Sequence, residues 1–98
     1  MKPYSHSTWV VQPGREDEFL RLWQELADWT VTENFAQSAM LLRDADRPST
    51  FVSFGPWHTR DEIERWRETS GFAERVERLR SVLESWDPRT LQLVFEAS

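Results

Sequence analysis

Apolar and polar residues follow two different periods in the first third of the chain. Residues 5–12 are rich in β-branched and aromatic side chains, and Pro13-Gly14 ends this run with a turn signal, so a strand is predicted here. Over residues 15–29 the apolar side chains recur at helical spacing above a charged opposite face; they include Phe19, Leu22, Trp23 and Leu26. This spacing predicts an amphipathic helix.

The same reading gives the remaining elements. Residues 35–43 and 50–54 are predicted strands, joined by a polar, proline-containing loop of hairpin length. The Thr-x-x-Glu spacing at residues 59–62 is that of a capping box, which predicts the start of a short helix. Gly71 interrupts the chain before another helix, whose apolar stripe is Phe72, Val76, Leu79 and Leu83. A last strand is predicted at residues 90–95.

The predicted order is therefore β-α-β-β-α-β, the split βαβ pattern of an α+β, ferredoxin-like sheet with helices on one face. Both faces of the strands are apolar: Phe51 and Trp57 lie on one side of the third strand, and Val52 and Phe54 on the other. One layer of helices covers only one face, and a second apolar face left in water favours aggregation. We therefore expect a homodimer that packs sheet against sheet.

Composition narrows the class of protein. Ninety-eight residues with 39% apolar and 30% charged side chains predict one globular domain over residues 1–98. The net charge is −5 and the basic residues are mixed with acidic ones, which argues against nucleic acid or an anionic membrane as partner. The absence of cysteine excludes disulfides and thiolate chemistry. No apolar run is long enough to span a membrane or to form a signal-peptide core, so a cytoplasmic protein is expected.

Two of the six tryptophans occupy positions that favour a pocket. Trp57 follows the third strand, and Trp66 lies on the helix that begins two residues later. This arrangement can place two large rings beside one pocket between the sheet and its covering helices. Core packing is the alternative for both rings. Trp23 and Trp29, at helical spacing, are predicted core residues, and Trp86, just before Asp87-Pro88, is predicted to be a partly exposed structural cap.

The chain as a whole resembles the antibiotic biosynthesis monooxygenase family of dimeric α+β barrel proteins. The resemblance spans nearly the whole chain, and the order and spacing of its segments carry it. These segments are Val11-Gln-Pro-Gly14 before the Phe19/Trp23 helix, Met40-Leu-Leu-Arg-Asp44, Arg47-Pro48, Phe51-Val-Ser-Phe54, Trp57-x-Thr59-x-Asp-Glu-Ile63-x-x-Trp66, and Phe72.

The resemblance implies a substrate pocket in each subunit and an oxygenase activity. Members of the family oxidise phenolic polycyclic compounds such as anthrones or quinols to quinones, with O2 as co-substrate and without metal or flavin. An electron-rich substrate, once deprotonated, can itself donate electrons to O2, so the protein supplies a dry cavity, orientation and hydrogen bonds. The pocket is predicted to be lined by Trp9, Trp57, Trp66 and Phe72, with Ser7 and Ser53 as hydrogen-bonding groups. Use of a reduced flavin from elsewhere is left open.

Two departures from the family pattern bear on the activity. Anthrone-oxidising members carry an asparagine where this chain has Ser53, a shorter hydrogen-bonding group. Haem-degrading relatives have an asparagine, a tryptophan and an iron-ligating histidine where this chain has Ser7, Trp66 and Val76. Valine cannot ligate iron, so haem degradation is disfavoured.

No residue stands out as a catalytic base. His6 and His58 have suitable unperturbed pKa values, but His6 is predicted to face the partner sheet and His58 to be exposed. Neither has the spacing of a metal site. Asp44 and Asp46 lie in a turn-forming loop, and Arg43 is predicted at the surface. The alternative function is therefore a non-catalytic dimer that binds a hydrophobic aromatic small molecule.

Overall fold

The strands of the protein form one antiparallel sheet. In a computed structural model, which describes residues 2–98, the four strands lie in the order β2-β3-β1-β4. This is the strand order of a ferredoxin-like fold, and it confirms the predicted α+β architecture. The elements are β1 Pro3–Val11, α1 Glu16–Thr32, β2 Met40–Arg43, β3 Thr50–Pro56, α2 Arg60–Glu68, α3 Ser70–Arg80 and β4 Leu83–Gln92.

The two edge strands differ most from the prediction. Strand β2 begins at Met40 rather than at residue 35, and β4 begins at Leu83 rather than at residue 90. Leu83 continues the helical spacing of α3, but the helix ends at Arg80 and the chain turns through a Val82 N–H bond to the Leu79 carbonyl. Pro88 does not end β4, because an edge strand pairs on one side only and tolerates a residue without an N–H.

The core lies between the sheet and the helices. Alternation along β1 places Ser5, Ser7, Trp9 and Val11 on the face that the helices cover. The register pairs Ser7 with Ser53 and Trp9 with both Phe51 and Trp86, so these side chains share that face. The helices add buried apolar side chains at Phe19, Leu22, Leu26, Ile63, Phe72, Val76 and Leu79.

The junction between α2 and α3 brings aromatic residues over the sheet. The predicted capping box is confirmed: the Thr59 hydroxyl accepts from the Glu62 N–H, and the Glu62 carboxylate accepts from the Thr59 N–H. Thr69 ends α2 and caps α3, because its hydroxyl accepts from the Phe72 N–H and donates to the Trp66 carbonyl. This tight corner fixes Trp66 and Phe72 on the side that faces β1.

Candidate functional site

A small cavity lies between the sheet and the three helices. Its volume is about 50 Å³, whereas a water molecule takes up roughly 30 Å³ of liquid volume. Strands β1 and β3 form its floor, α1, α2 and α3 form its roof, and residues 36–39 close one side. All six residues predicted from the sequence line this cavity: Ser7, Trp9, Ser53, Trp57, Trp66 and Phe72. Their role toward a ligand remains a prediction.

The walls of the cavity form one continuous series of aromatic rings. Trp57 meets Trp66 with ring centroids 5.0 Å apart, and Trp66 meets Phe72 edge-on at 4.6 Å. Phe72 lies 6.4 Å from Trp86, which stacks on Trp9 at 5.4 Å with an angle of 13° between the planes. These tilted, edge-on and stacked geometries are those that aromatic side chains prefer, and they also suit a flat aromatic ligand.

Trp86 corrects the sequence interpretation. It is not a structural cap beside a turn, because β4 begins before it and its indole joins the cavity wall. The error arose because β4 was predicted to begin at residue 90. Since β4 begins at Leu83, Trp86 lies on this strand and pairs with Trp9. Trp23, predicted as core, is half-buried and also reaches the cavity, whereas Trp29 packs away from it against Phe35, with centroids 5.1 Å apart.

Four indole N–H groups around the cavity each donate to a hydroxyl oxygen. Trp9 donates to Ser53 at 2.9 Å, Trp57 to Ser5 at 2.9 Å, Trp86 to Ser7 at 3.1 Å and Trp66 to Thr30 at 3.0 Å. Thr30 in turn donates to the Leu26 carbonyl. The three serine hydroxyls have no acceptor for their own hydrogen among residues 2–98. Each can therefore donate one hydrogen bond into the cavity.

Ser5 and Arg67 are cavity residues that the sequence interpretation missed. Ser5 lies on the floor two residues before Ser7, so strand alternation alone could have found it. Arg67 follows Trp66 on α2 and is half-buried. Burial lowers the pKa of its guanidinium below the ordinary value, the nearby positive charge of Arg60 lowers it further, and Glu64 opposes the shift. An arginine keeps its proton at neutral pH even so.

The other candidates lie outside the cavity or contribute no acid or base there. His58 is exposed, as predicted, and its Nε2 lies 3.4 Å from the Gln37 amide nitrogen. The Asp44 carboxylate accepts from the backbone N–H groups of Asp46 and Arg47, which confirms its role in a turn. The Arg43 guanidinium lies over the Phe51 ring, 4.8 Å from its centroid. Within the described part of the chain, no group of three His, Cys, Asp or Glu side chains is arranged to hold a metal ion.

A wider polar cleft adjoins the cavity. It has a volume of about 300 Å³ and is bordered by Lys2, Asn34, Gln37, His58 and Glu62. The cleft and the cavity share Trp57 and Ala36, so these two residues form the wall between them. Asn34 has a positive φ of 61° in the loop that carries Ala36.

Comparison with known proteins identifies the family that this architecture represents. A family model described as antibiotic biosynthesis monooxygenase matches residues 6–78. No curated protein matches the chain. The fold is similar to that of an asparagine-to-alanine mutant of SnoaB, a cofactor-independent oxygenase from Streptomyces nogalater, with a TM-score of 0.88 and 18% identity over 97% of this chain and 95% of that one.

Two other solved structures are similar throughout their length. Rv0793 from Mycobacterium tuberculosis has a TM-score of 0.83 and 17% identity, with 100% of both chains covered. A conserved protein from Methanosarcina mazei Go1 has a TM-score of 0.84 and 15% identity over 94% of this chain and 92% of that one. At sequence identities this low, the structural similarity establishes the shared fold alone.

Proposed function

Because the chain belongs to the antibiotic biosynthesis monooxygenase family, we propose that it is a small cofactor-independent monooxygenase. Its substrate is a phenolic aromatic compound of the quinol or anthrone type, and O2 is its co-substrate. The observation that carries this proposal is the tryptophan-walled cavity with serine hydroxyls on its floor. The similar fold of SnoaB, a cofactor-independent oxygenase, supports it.

The chemistry requires little more than this cavity. The deprotonated substrate gives electrons to O2. With an anthrone, one oxygen atom replaces the two hydrogens of the ring CH2 group as a new carbonyl and the other leaves as water; with a quinol, two electrons and two protons pass to O2, which gives the quinone and hydrogen peroxide. The indoles of Trp57 and Trp66 stack on the substrate ring and hold it in place. The Ser7 and Ser53 hydroxyls, which already accept indole N–H groups, donate their free hydrogens to the substrate oxygen as negative charge develops there.

The cavity must enlarge before such a substrate binds. Sites for molecules of this class have volumes of roughly 300–1,000 Å³, against about 50 Å³ for this cavity. The wall of Trp57 and Ala36 separates the cavity from the wider cleft. Movement of this wall would join the two spaces.

Oxygen consumption tests the proposal directly. With a panel of naphthohydroquinones and anthrones, and no added flavin or metal, the protein should raise O2 uptake above the rate of spontaneous oxidation. Trp57→Phe and Ser53→Ala should each reduce this rate, because one loses an indole contact and the other a hydroxyl donor. Trp29→Phe, a change outside the cavity, is the matched control and should keep the wild-type rate. No uptake across the panel would contradict the proposal.

A non-catalytic binding protein is the second candidate function. The titratable side chains along the cavity are Arg67 and His6, and alternation turns His6 toward the opposite face of the sheet. A binder needs no base, so this lining also suits a protein that only holds an aromatic molecule. Saturable quenching of tryptophan emission by the same panel, without any O2 uptake, would favour this function.

We also propose that the protein acts as a homodimer through the uncovered face of the sheet. Met40, Leu42 and Leu91 are 52%, 54% and 45% exposed on that face or its edge strand. A second copy would cover these apolar side chains. His6 Nδ1 is already buried within the single chain and has no hydrogen-bond partner within residues 2–98, so its burial does not bear on the dimer. None of the helices in the described chain is long and apolar enough to cross a membrane; the cytoplasmic location remains a prediction.

A further inference from the structure

Arg67 places a positive charge at one end of an otherwise uncharged cavity. It lies on α2, directly after Trp66, and its guanidinium reaches across to strand β4. Its Nη1 donates to the Thr90 hydroxyl at 2.8 Å, and its Nη2 donates to the Arg89 carbonyl at 2.8 Å. Both acceptors are neutral, so the bonds orient the guanidinium without compensating its charge.

No carboxylate forms an ion pair with Arg67 in residues 2–98. The arginines that do form ion pairs are Arg15, Arg21, Arg60, Arg78 and Arg89. Glu64, one turn before Arg67 on α2, pairs instead with Arg60 at 3.3 Å. A partly buried cation without a counter-ion is unfavourable to the folded state, and such groups mark functional sites when they border a cleft. The charge is therefore available to an anion that comes from outside.

The guanidinium lies beside the aromatic walls. Thr90, to which it is bonded, is the cross-strand partner of Ser5, whose hydroxyl accepts the Trp57 indole N–H. A flat ring bound in the cavity that Trp57, Trp66 and Phe72 line would thus have a cation and a hydroxyl donor near it. Guanidinium N–H groups match an oxygen anion in geometry as well as in charge, and three of the five are not used by Thr90 and Arg89.

We propose that Arg67 is the anion-binding residue of this cavity and that the ligand binds as an aromatic anion with its charged oxygen toward Arg67. For the phenolic substrate, the identity of which rests on the proposed function above, this favours the phenolate. The O–H bond breaks, the proton goes to water, the electron pair stays on the substrate oxygen, and Arg67 keeps its own protons. A protein base at the substrate oxygen is then unnecessary, because water takes the proton.

A matched pair of inert ligands tests this site independently of any oxidation. Naphthalene-2-carboxylate and naphthalene-2-carboxamide have the same shape and differ in charge. Calorimetry on the wild-type protein at neutral pH should give about tenfold tighter binding of the carboxylate, the size of one charge-assisted contact. Arg67→Gln should abolish this preference while leaving the affinity for the carboxamide unchanged. Arg65→Gln removes an exposed charge from the same helix and should keep the preference.

An optical titration tests the consequence for a phenol. Ionisation of 4-nitro-1-naphthol changes its colour, and its pKa should fall on binding to wild-type protein but not on binding to Arg67→Gln. Equal affinity of the wild-type protein for the carboxylate and the carboxamide, or binding of neither, overturns the proposal without need of any variant. If the protein prefers the carboxylate but shows no O2 uptake, the anion site is supported and the oxygenase function is contradicted. The failure of one proposal can therefore be distinguished from the failure of the other.

Discussion

Small hydroxyl side chains hold the large rings of the cavity in place. Trp9, Trp57 and Trp86 donate their indole N–H groups to serines on the strands, and Trp66 donates to Thr30 on α1. A buried donor left without an acceptor costs about 1–3 kcal/mol. These bonds therefore select one orientation for each ring. The floor serines have a structural role in addition to the role proposed for them toward a substrate.

Replacement of Ser53 by alanine isolates this structural role. The Trp9 side chain is 2% exposed, so its indole N–H would lose its acceptor at a site away from bulk water. We expect Ser53→Ala to lower the free energy of unfolding by about 1–3 kcal/mol, measured by urea denaturation. In a Trp9→Phe background there is no N–H to leave unpaired, and the same substitution should cost clearly less. Ser85→Ala, at an exposed position of β4, is the control. An unchanged free energy in Ser53→Ala would show that the bond contributes nothing.

The sequence identifies the cavity residues unevenly, for a physical reason. Ser7, Ser53 and the tryptophan pair at positions 57 and 66 could be predicted because the spacing of the segments around them resembles a known family. Ser5 was missed although strand alternation from Ser7 points to it, whereas Arg67 could not be predicted, because arginine is a common residue type that carries no local signal. Their importance comes from strand register and from the way α2 crosses β4, which places Arg67 beside Thr90, 23 positions away in the chain.

At the scale of elements, a glycine sets the distance between α1 and α3. A Cβ atom at Gly71, in the first turn of α3, would overlap the indole of Trp29 on α1. The Arg75 guanidinium lies over the same ring, 4.5 Å from its centroid. Because α3 also carries Phe72, the position of this helix determines where one wall of the cavity stands.

Gly71→Ala should therefore destabilise the fold, although alanine favours a helix. The gain in helix propensity is about 0.5–1 kcal/mol, and forcing an extra carbon into a packed contact costs about 1–3 kcal/mol. We expect a net loss, seen as a lower midpoint in thermal or urea unfolding. Ser70→Ala, at the neighbouring exposed position, should have little effect. Trp29→Phe should restore much of the loss in Gly71→Ala, since it removes the atoms that overlap. A stabilised Gly71→Ala protein would contradict this account.

Element boundaries were predicted well in the interior of the fold and poorly at its edges. The spacing of apolar residues predicts α1 and the central strands β1 and β3 well. These elements pack against neighbouring elements that bury their apolar side chains, so the spacing is clear. Edge strands β2 and β4 have a weaker pattern: Met40 and Leu42 are exposed, and Pro88 reads as an interruption. Leu83 also fits the stripe of α3, so its spacing alone cannot separate the end of that helix from the start of β4.

At the scale of the whole molecule, the two central strands contribute side chains both to the cavity and to the uncovered face of the sheet. Alternate residues of β3 point to opposite faces: Ser53 to the cavity, Val52 and Phe54 to the uncovered side. A dimer that forms through the uncovered side would therefore hold in place the two strands, β1 and β3, that carry the cavity serines. The tail after β4 adds Val94 and Phe95, which are 78% and 81% exposed, to the apolar surface that a second copy can cover.

A charge placed on the uncovered face tests the dimer. Light scattering at micromolar concentration should give the wild-type protein about twice the chain mass of 11.7 kDa. Leu42 is 54% exposed in the single chain and lies beside Val52 in the register. Leu42→Asp should give the mass of one chain, because an aspartate buried in an apolar interface loses its hydration without gaining a partner.

The matched control for this variant is Val31→Asp, which adds the same charge at an exposed apolar position of α1, away from the sheet. It should remain dimeric, so that a loss of mass in Leu42→Asp alone assigns the interface to the sheet face. A wild-type mass near that of one chain would contradict the dimer. If both aspartate variants remain dimeric, the second copy docks elsewhere, and the exposed leucines of the sheet need another explanation.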